Sequence, residues 1–92
     1  MSKYLMLGKY SVDAIKGISP TRTQKALKTI KKLKGRVESL HTLLGTYDLA
    51  VMVDFPKNAD VIKASIALTR ITGIAFTTFP AMTVEEFDRL MK

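Results

Sequence analysis

A chain of 92 residues with no cysteine and one histidine has room for a single domain, and neither disulfides nor a thiolate or histidine-rich metal site can brace it. A hydrophobic share of 47% is enough for a packed core and too high for a disordered segment, yet no apolar run reaches the ~18 residues that a bilayer span needs. The net charge of +7 arises in one stretch, because eight basic residues and no acid lie between Lys16 and Arg36. A chain this short buries only about two-thirds of its unfolded surface, so oligomerisation is the stabilising aid left to it. The opening Met1-Ser2-Lys3-Tyr4-Leu5-Met6-Leu7 lacks the length and the small-residue cleavage site of a secretory signal, and the cytoplasm is the expected compartment.

Lys3 to Tyr10 carries two alternating apolar sets, Leu5 and Leu7 against Tyr4, Met6 and Tyr10, as a strand covered on both faces would. Ser11 can cap a short turn that Gly17 ends. Ser19-Pro20 then starts a longer helix, with Ser as the cap and Pro at the first helical position. Ala26, Leu27, Ile30 and Leu33 fall within about a third of its circumference, Lys25, Lys28, Lys31 and Lys32 fall opposite, and Gly35 is the expected stop.

Arg36 to Leu44 reads as a second strand with Val37, Ser39, His41 and Leu43 on one face. Gly45-Thr46-Tyr47-Asp48 is a turn. Leu49, Val51, Val53 and Phe55 then form the strongly apolar face of a third strand whose other face holds Ala50 and Met52, so the two strands make an antiparallel hairpin. Pro56 stops the strand, and Asn58 is the expected cap of a helix with Asp60 in its first turn. Val61, Ile62, Ala64, Ile66, Leu68 and Ile71 follow, with Lys63 and Arg70 on one polar stripe and Gly73 as terminator. Ile74 to Phe79 is a fourth strand, and Pro80 after it suits an edge. Thr83 and Glu86 form a capping box for a last helix bearing Phe87, Leu90 and Met91.

The order is β-α-β-β-α-β with a C-terminal helix, an α+β, ferredoxin-like arrangement on a four-stranded antiparallel sheet, and residues 1–92 are expected to form one domain. Right-handed crossovers put both long helices on one sheet face. The other face is left bare, with Ala50, Met52 and an apolar set of the first strand on it. An exposed apolar patch of that kind marks an interface. A homodimer through the helix-free face, or a higher oligomer, is therefore expected.

The hairpin Leu43-Leu44-Gly45-Thr46-Tyr47-Asp48-Leu49 on this strand order resembles the GYD family of small bacterial and archaeal proteins. Tyr4-Leu5-Met6-Leu7, the segment from Ala64 to Gly73, and Ala81-Met82-Thr83-Val84-Glu85-Glu86-Phe87 carry the likeness over nearly the whole chain. The resemblance implies the dimeric α/β-barrel superfamily, in which two sheets pack face to face. It implies no activity, the family being named for a motif.

Three kinds of function follow. The first is a homo-oligomeric module that binds a small metabolite or serves assembly, with Gly45, Tyr47, Asp48 and His41 as the ligand-binding candidates. Tyr and Asp offer a donor, an acceptor and a stacking face, although turn chemistry alone also explains the motif. Similar Gly-x-Tyr-Asp turns occur in effector domains of bacterial amino-acid-responsive regulators, a likeness at fold level. The second is a cofactor-independent isomerase or monooxygenase-like enzyme, with His41 as base oriented by Asp48 or Tyr47. The third is a nucleic-acid-associated protein using Lys25, Lys28, Lys31 and Lys32. No aromatic interleaves with those lysines for base stacking, and a solvated helix face places them equally well, so nucleic acid is not the expected partner. No glycine-rich phosphate loop, nucleophile elbow or metal-ligand cluster is present, and no cofactor, metal or membrane is expected.

Overall fold

The computed structural model describes residues 1–92. Its elements are β1 (Ser2–Tyr10), α1 (Val12–Lys16), α2 (Pro20–Lys32), β2 (Arg36–Thr42), β3 (Leu49–Phe55), α3 (Asn58–Thr72), β4 (Ile74–Ala81) and α4 (Val84–Leu90). The strands form one sheet in the order β2-β3-β1-β4, antiparallel throughout. The fold is the α+β, ferredoxin-like one, with α2 and α3 on one face of the sheet.

Local chemistry explains most of the boundaries. Ser11 and Ser19 accept the amide hydrogens of Ala14 and Arg22 at 3.0 and 3.1 Å, and Thr83 accepts that of Glu86 at 3.1 Å. Two ends differ from expectation. Lys57, not Asn58, is the N-cap of α3 and gives no side-chain cap. Asn58 is free for another task, and its Oδ1 accepts the hydroxyl proton of the buried Tyr4, tying the start of α3 to β1. At the end of α2 the left-handed residue is Lys34, with φ 76°, while the Gly35 amide closes on the Ile30 carbonyl at 2.9 Å. Gly35 is needed for space, since a Cβ there would lie 2.5 Å from the Phe55 ring.

The second strand also departs from simple alternation. A register shift between Val37 and Ser39 inserts Glu38 as an extra residue. Val37 and Leu40 therefore oppose Val53 and Val51, whereas Ser39 and His41 oppose Met52 and Ala50. The expected set of Val37, Ser39, His41 and Leu43 is thus split between two faces, and β2 ends at Thr42. At the other edge, β4 continues through Pro80 to Ala81, which an edge strand tolerates because no outer neighbour needs the missing amide hydrogen.

The core lies between the sheet and the two long helices. Tyr4, Met6, Val51, Val53 and Phe55 from the strands meet Ile30 of α2 and Val61, Ala64 and Leu68 of α3. Met6, Val53, Phe55 and Ala64 are fully buried. Burying a side chain the size of Phe contributes about 3 kcal/mol relative to leaving it exposed.

Candidate functional site

The helix-free face is built by the alternate residues of the same strands. Leu5 stands opposite Met52 on one side and Phe79 on the other, and Leu7 stands opposite Ala50 and Thr77. They form an apolar band across β3, β1 and β4. Leu5, Leu7, Ala50 and Met52 are half-buried by their neighbours, and Phe79 is 45% exposed.

A charged cluster closes one end of this band. Lys3 pairs with Glu38 and lies 3.8 Å from the Asp54 carboxylate, which accepts a 3.1 Å hydrogen bond from Arg36. The hydrogen bond with Glu38 raises the Lys3 ammonium above its ordinary 10.5, burial opposing it and the Asp54 charge helping it. Burial pushes the Asp54 carboxyl up, but the Arg36 hydrogen bond and the Lys3 charge outweigh it and hold the group below its ordinary 3.8. The bulge at Glu38 delivers that carboxylate to Lys3. Sequence reading missed the cluster because strict alternation set Glu38 apart from Val37 and Ser39 and said nothing of register.

At the other end the β2–β3 turn meets β1. Gly45 has φ 144°, a conformation closed to most side chains, and nothing lies within 4 Å of where a Cβ would stand. The residue serves backbone shape there. Asp48 makes three bonds: its amide donates to the Gly8 carbonyl at 2.8 Å, its carbonyl accepts from the Leu43 amide at 2.9 Å, and its Oδ2 accepts from the Tyr10 amide at 2.8 Å. One residue thus staples the turn to the end of β1. Tyr47 is half-buried, and its hydroxyl has no hydrogen-bond partner among the side-chain bonds of the fold.

His41 is exposed on the edge strand β2 opposite Ala50. Oδ2 of Asp48 is turned to the backbone of β1, and no hydrogen bond joins His41 to either oxygen of that carboxylate. Lys25, Lys28, Lys31 and Lys32 are exposed along α2, and the ion pairs of the protein lie elsewhere. No group of three or more His, Cys, Asp and Glu side chains could hold a metal ion, and no helix is long and apolar enough to cross a membrane.

A feature that sequence reading passed over is a groove of about 320 Å³ between α3 and β4, with Tyr4 and Phe76 in its floor and Ile62, Ile66 and Pro80 at its rim. Its signal was present in α3, where Ile62 and Ile66 widen the apolar arc beyond the Val61, Ala64 and Leu68 stripe that fills the core.

The family model described as the GYD domain matches residues 4–91. Among curated proteins none matches the sequence. The crystal structure of the Mycobacterium tuberculosis leucine response regulatory protein is similar at a TM-score of 0.59 and 8% sequence identity, over 89% of this chain and 51% of that one. The likeness is one of fold, and this chain spans about half the length of that protein.

Proposed function

This chain belongs to the GYD domain family, and from that premise we propose that it is a self-pairing module in which two helix-free faces meet and the Gly45-Thr46-Tyr47-Asp48 turns hold a small metabolite at the rim. The observation that carries the reading is the apolar band of Leu5, Leu7, Ala50, Met52 and Phe79, which no element of the chain covers. Contiguous apolar surface of this kind favours burial against a partner, and a twofold pairing lets one patch serve both copies.

The metabolite part rests on what remains free at the turn. The Tyr47 hydroxyl, the second oxygen of Asp48 and the imidazole of His41 have no partner within the chain. The α3–β4 groove and the cavities beside α2 are lined by other residues, so a ligand at the turn would be enclosed by the second copy. The name of the fold neighbour, a leucine response protein, supports amino acids as the first probes.

Met52→Glu puts a charge in the middle of the band and should yield a folded single subunit at micromolar concentration, read by sedimentation velocity and circular dichroism. A wild-type chain that already sediments as one subunit would sink the pairing. In a thermal-shift screen with the common amino acids, a stabilising ligand should lose its effect in Tyr47→Phe and Asp48→Asn while the sedimentation coefficient holds. A shift that survives both substitutions would place the ligand elsewhere.

A further inference from the structure

The last helix has no cover of its own. Val84, Phe87, Leu90 and Met91 are 73, 51, 66 and 66% exposed, and no residue of α4 is buried. At 100° per residue the four fall within about a third of the circumference, with Glu85, Glu86, Asp88 and Arg89 on the remainder. An isolated helix needs ~12–15 residues to hold its shape in water, and α4 has 7. The radius of gyration, 13.7 Å, exceeds the roughly 12 Å of a compact chain of this length, as it should if α4 stands off from the body.

The groove between α3 and β4 is the complementary surface. Its rim residues Ile62 and Ile66 are 62 and 50% exposed. The α3 wall from Asn58 to Ile66 is about 12 Å long and α4 about 10 Å, from a rise of 1.5 Å per residue. Charge agrees as well. Lys63 and Arg70 stand on the solvent side of the two isoleucines, and α4 presents three acids against one base. The chain's own α4 points elsewhere. Thr83 fixes its first turn through the Glu86 amide, and Glu86 acts on Lys3, whose side chain belongs to the helix-free side of the sheet.

We propose that α4 is an arm that docks, apolar stripe inward, in the α3–β4 groove of a second copy. This contact does not depend on the pairing of helix-free faces, and the two can fail separately. It gives the acidic end of an otherwise basic chain a partner, and it covers two apolar surfaces at once.

Because the chain has no cysteine, single-cysteine variants report the contact directly. Full-length Met91→Cys and Ser65→Cys chains carrying different tags are mixed under mild oxidation. The expected product is a disulfide between unlike chains, well above either like pair, with a yield that rises with concentration and is lost when Phe87→Glu is added to the Met91→Cys chain. The same link should persist in a Met52→Glu background, which separates it from sheet pairing. A link no stronger than the like pairs, a stronger reaction of Met91→Cys with Met52→Cys, or a concentration-independent link within a double-cysteine chain would each overturn the proposal. So would a native mass spectrum showing a small molecule that Ile66→Glu removes, with no link to α4.

Discussion

The two faces of one sheet are cut from the same strands with similar side chains, yet they end in different states. On the helix-covered face Met6, Val53 and Phe55 are fully buried. One residue further along the same strands, Leu5, Leu7, Ala50 and Met52 keep part of their surface open, and Phe79 keeps 45%. Period-two alternation supplies apolar groups to both sides, but α2 and α3 cover only one. The difference lies in the partner, not in residue chemistry. Stability of the subunit and its association should therefore respond to separate substitutions.

The largest effect should come from the covered face. Phe55→Ala removes a ring that closes on Ile30 and Gly35 and should cost about 3–5 kcal/mol in urea denaturation, because tight packing leaves a cavity. Met52→Ala, at concentrations where subunits are separate, should cost less than about 1 kcal/mol, since its site is already open on one side. Equal losses at the two positions would break the comparison.

A smaller effect should arise where the turn meets β1. Asp48→Ala leaves the Tyr10 amide hydrogen without its acceptor and should cost about 1–3 kcal/mol. Tyr47→Phe should stay within about 0.5 kcal/mol by the same urea measurement, as its hydroxyl has no partner to lose. That contrast divides the motif into a residue that braces the fold and one whose hydroxyl the fold leaves unpartnered. A large loss from Tyr47→Phe would end the division.

Much of this architecture was legible in the chain. Capping serines at 11 and 19, the capping box at Thr83 and Glu86, and the terminator Gly73 act locally, so residue type alone placed them. Features that depend on register or close approach were not legible. The extra residue at Glu38, the cramped site of Gly35 against Phe55, and the loan of Asn58 to Tyr4 all need the position of a distant strand. The candidate turn was legible as a turn, but the grip of Asp48 on Tyr10 and Gly8 joins residues far apart in sequence. No local pattern encodes it.

The smallest expected effect lies at the charged end of the helix-free face, the one part of that face the chain closes for itself. The Asp54 carboxyl titrates below its ordinary 3.8 in the fold, so its ionised form favours the folded state. That contribution is complete above about pH 4 and is lost as the pH falls through the folded value. Lys3 runs the opposite way: its contribution is full below 10.5 and lost as the pH rises through its raised value. Thermal unfolding between about pH 5 and 2 should therefore steepen in the wild type and flatten in Asp54→Asn, which keeps the shape but not the charge. Association adds a sharper version. If two helix-free faces meet, the cluster is further shielded from water, which strengthens both the burial that raises the Asp54 carboxyl and the pull of Lys3 and Arg36 that lowers it, and the acid step should shift with protein concentration. A step fixed at all concentrations would leave the cluster as a property of the single subunit and confine the pairing to the apolar band.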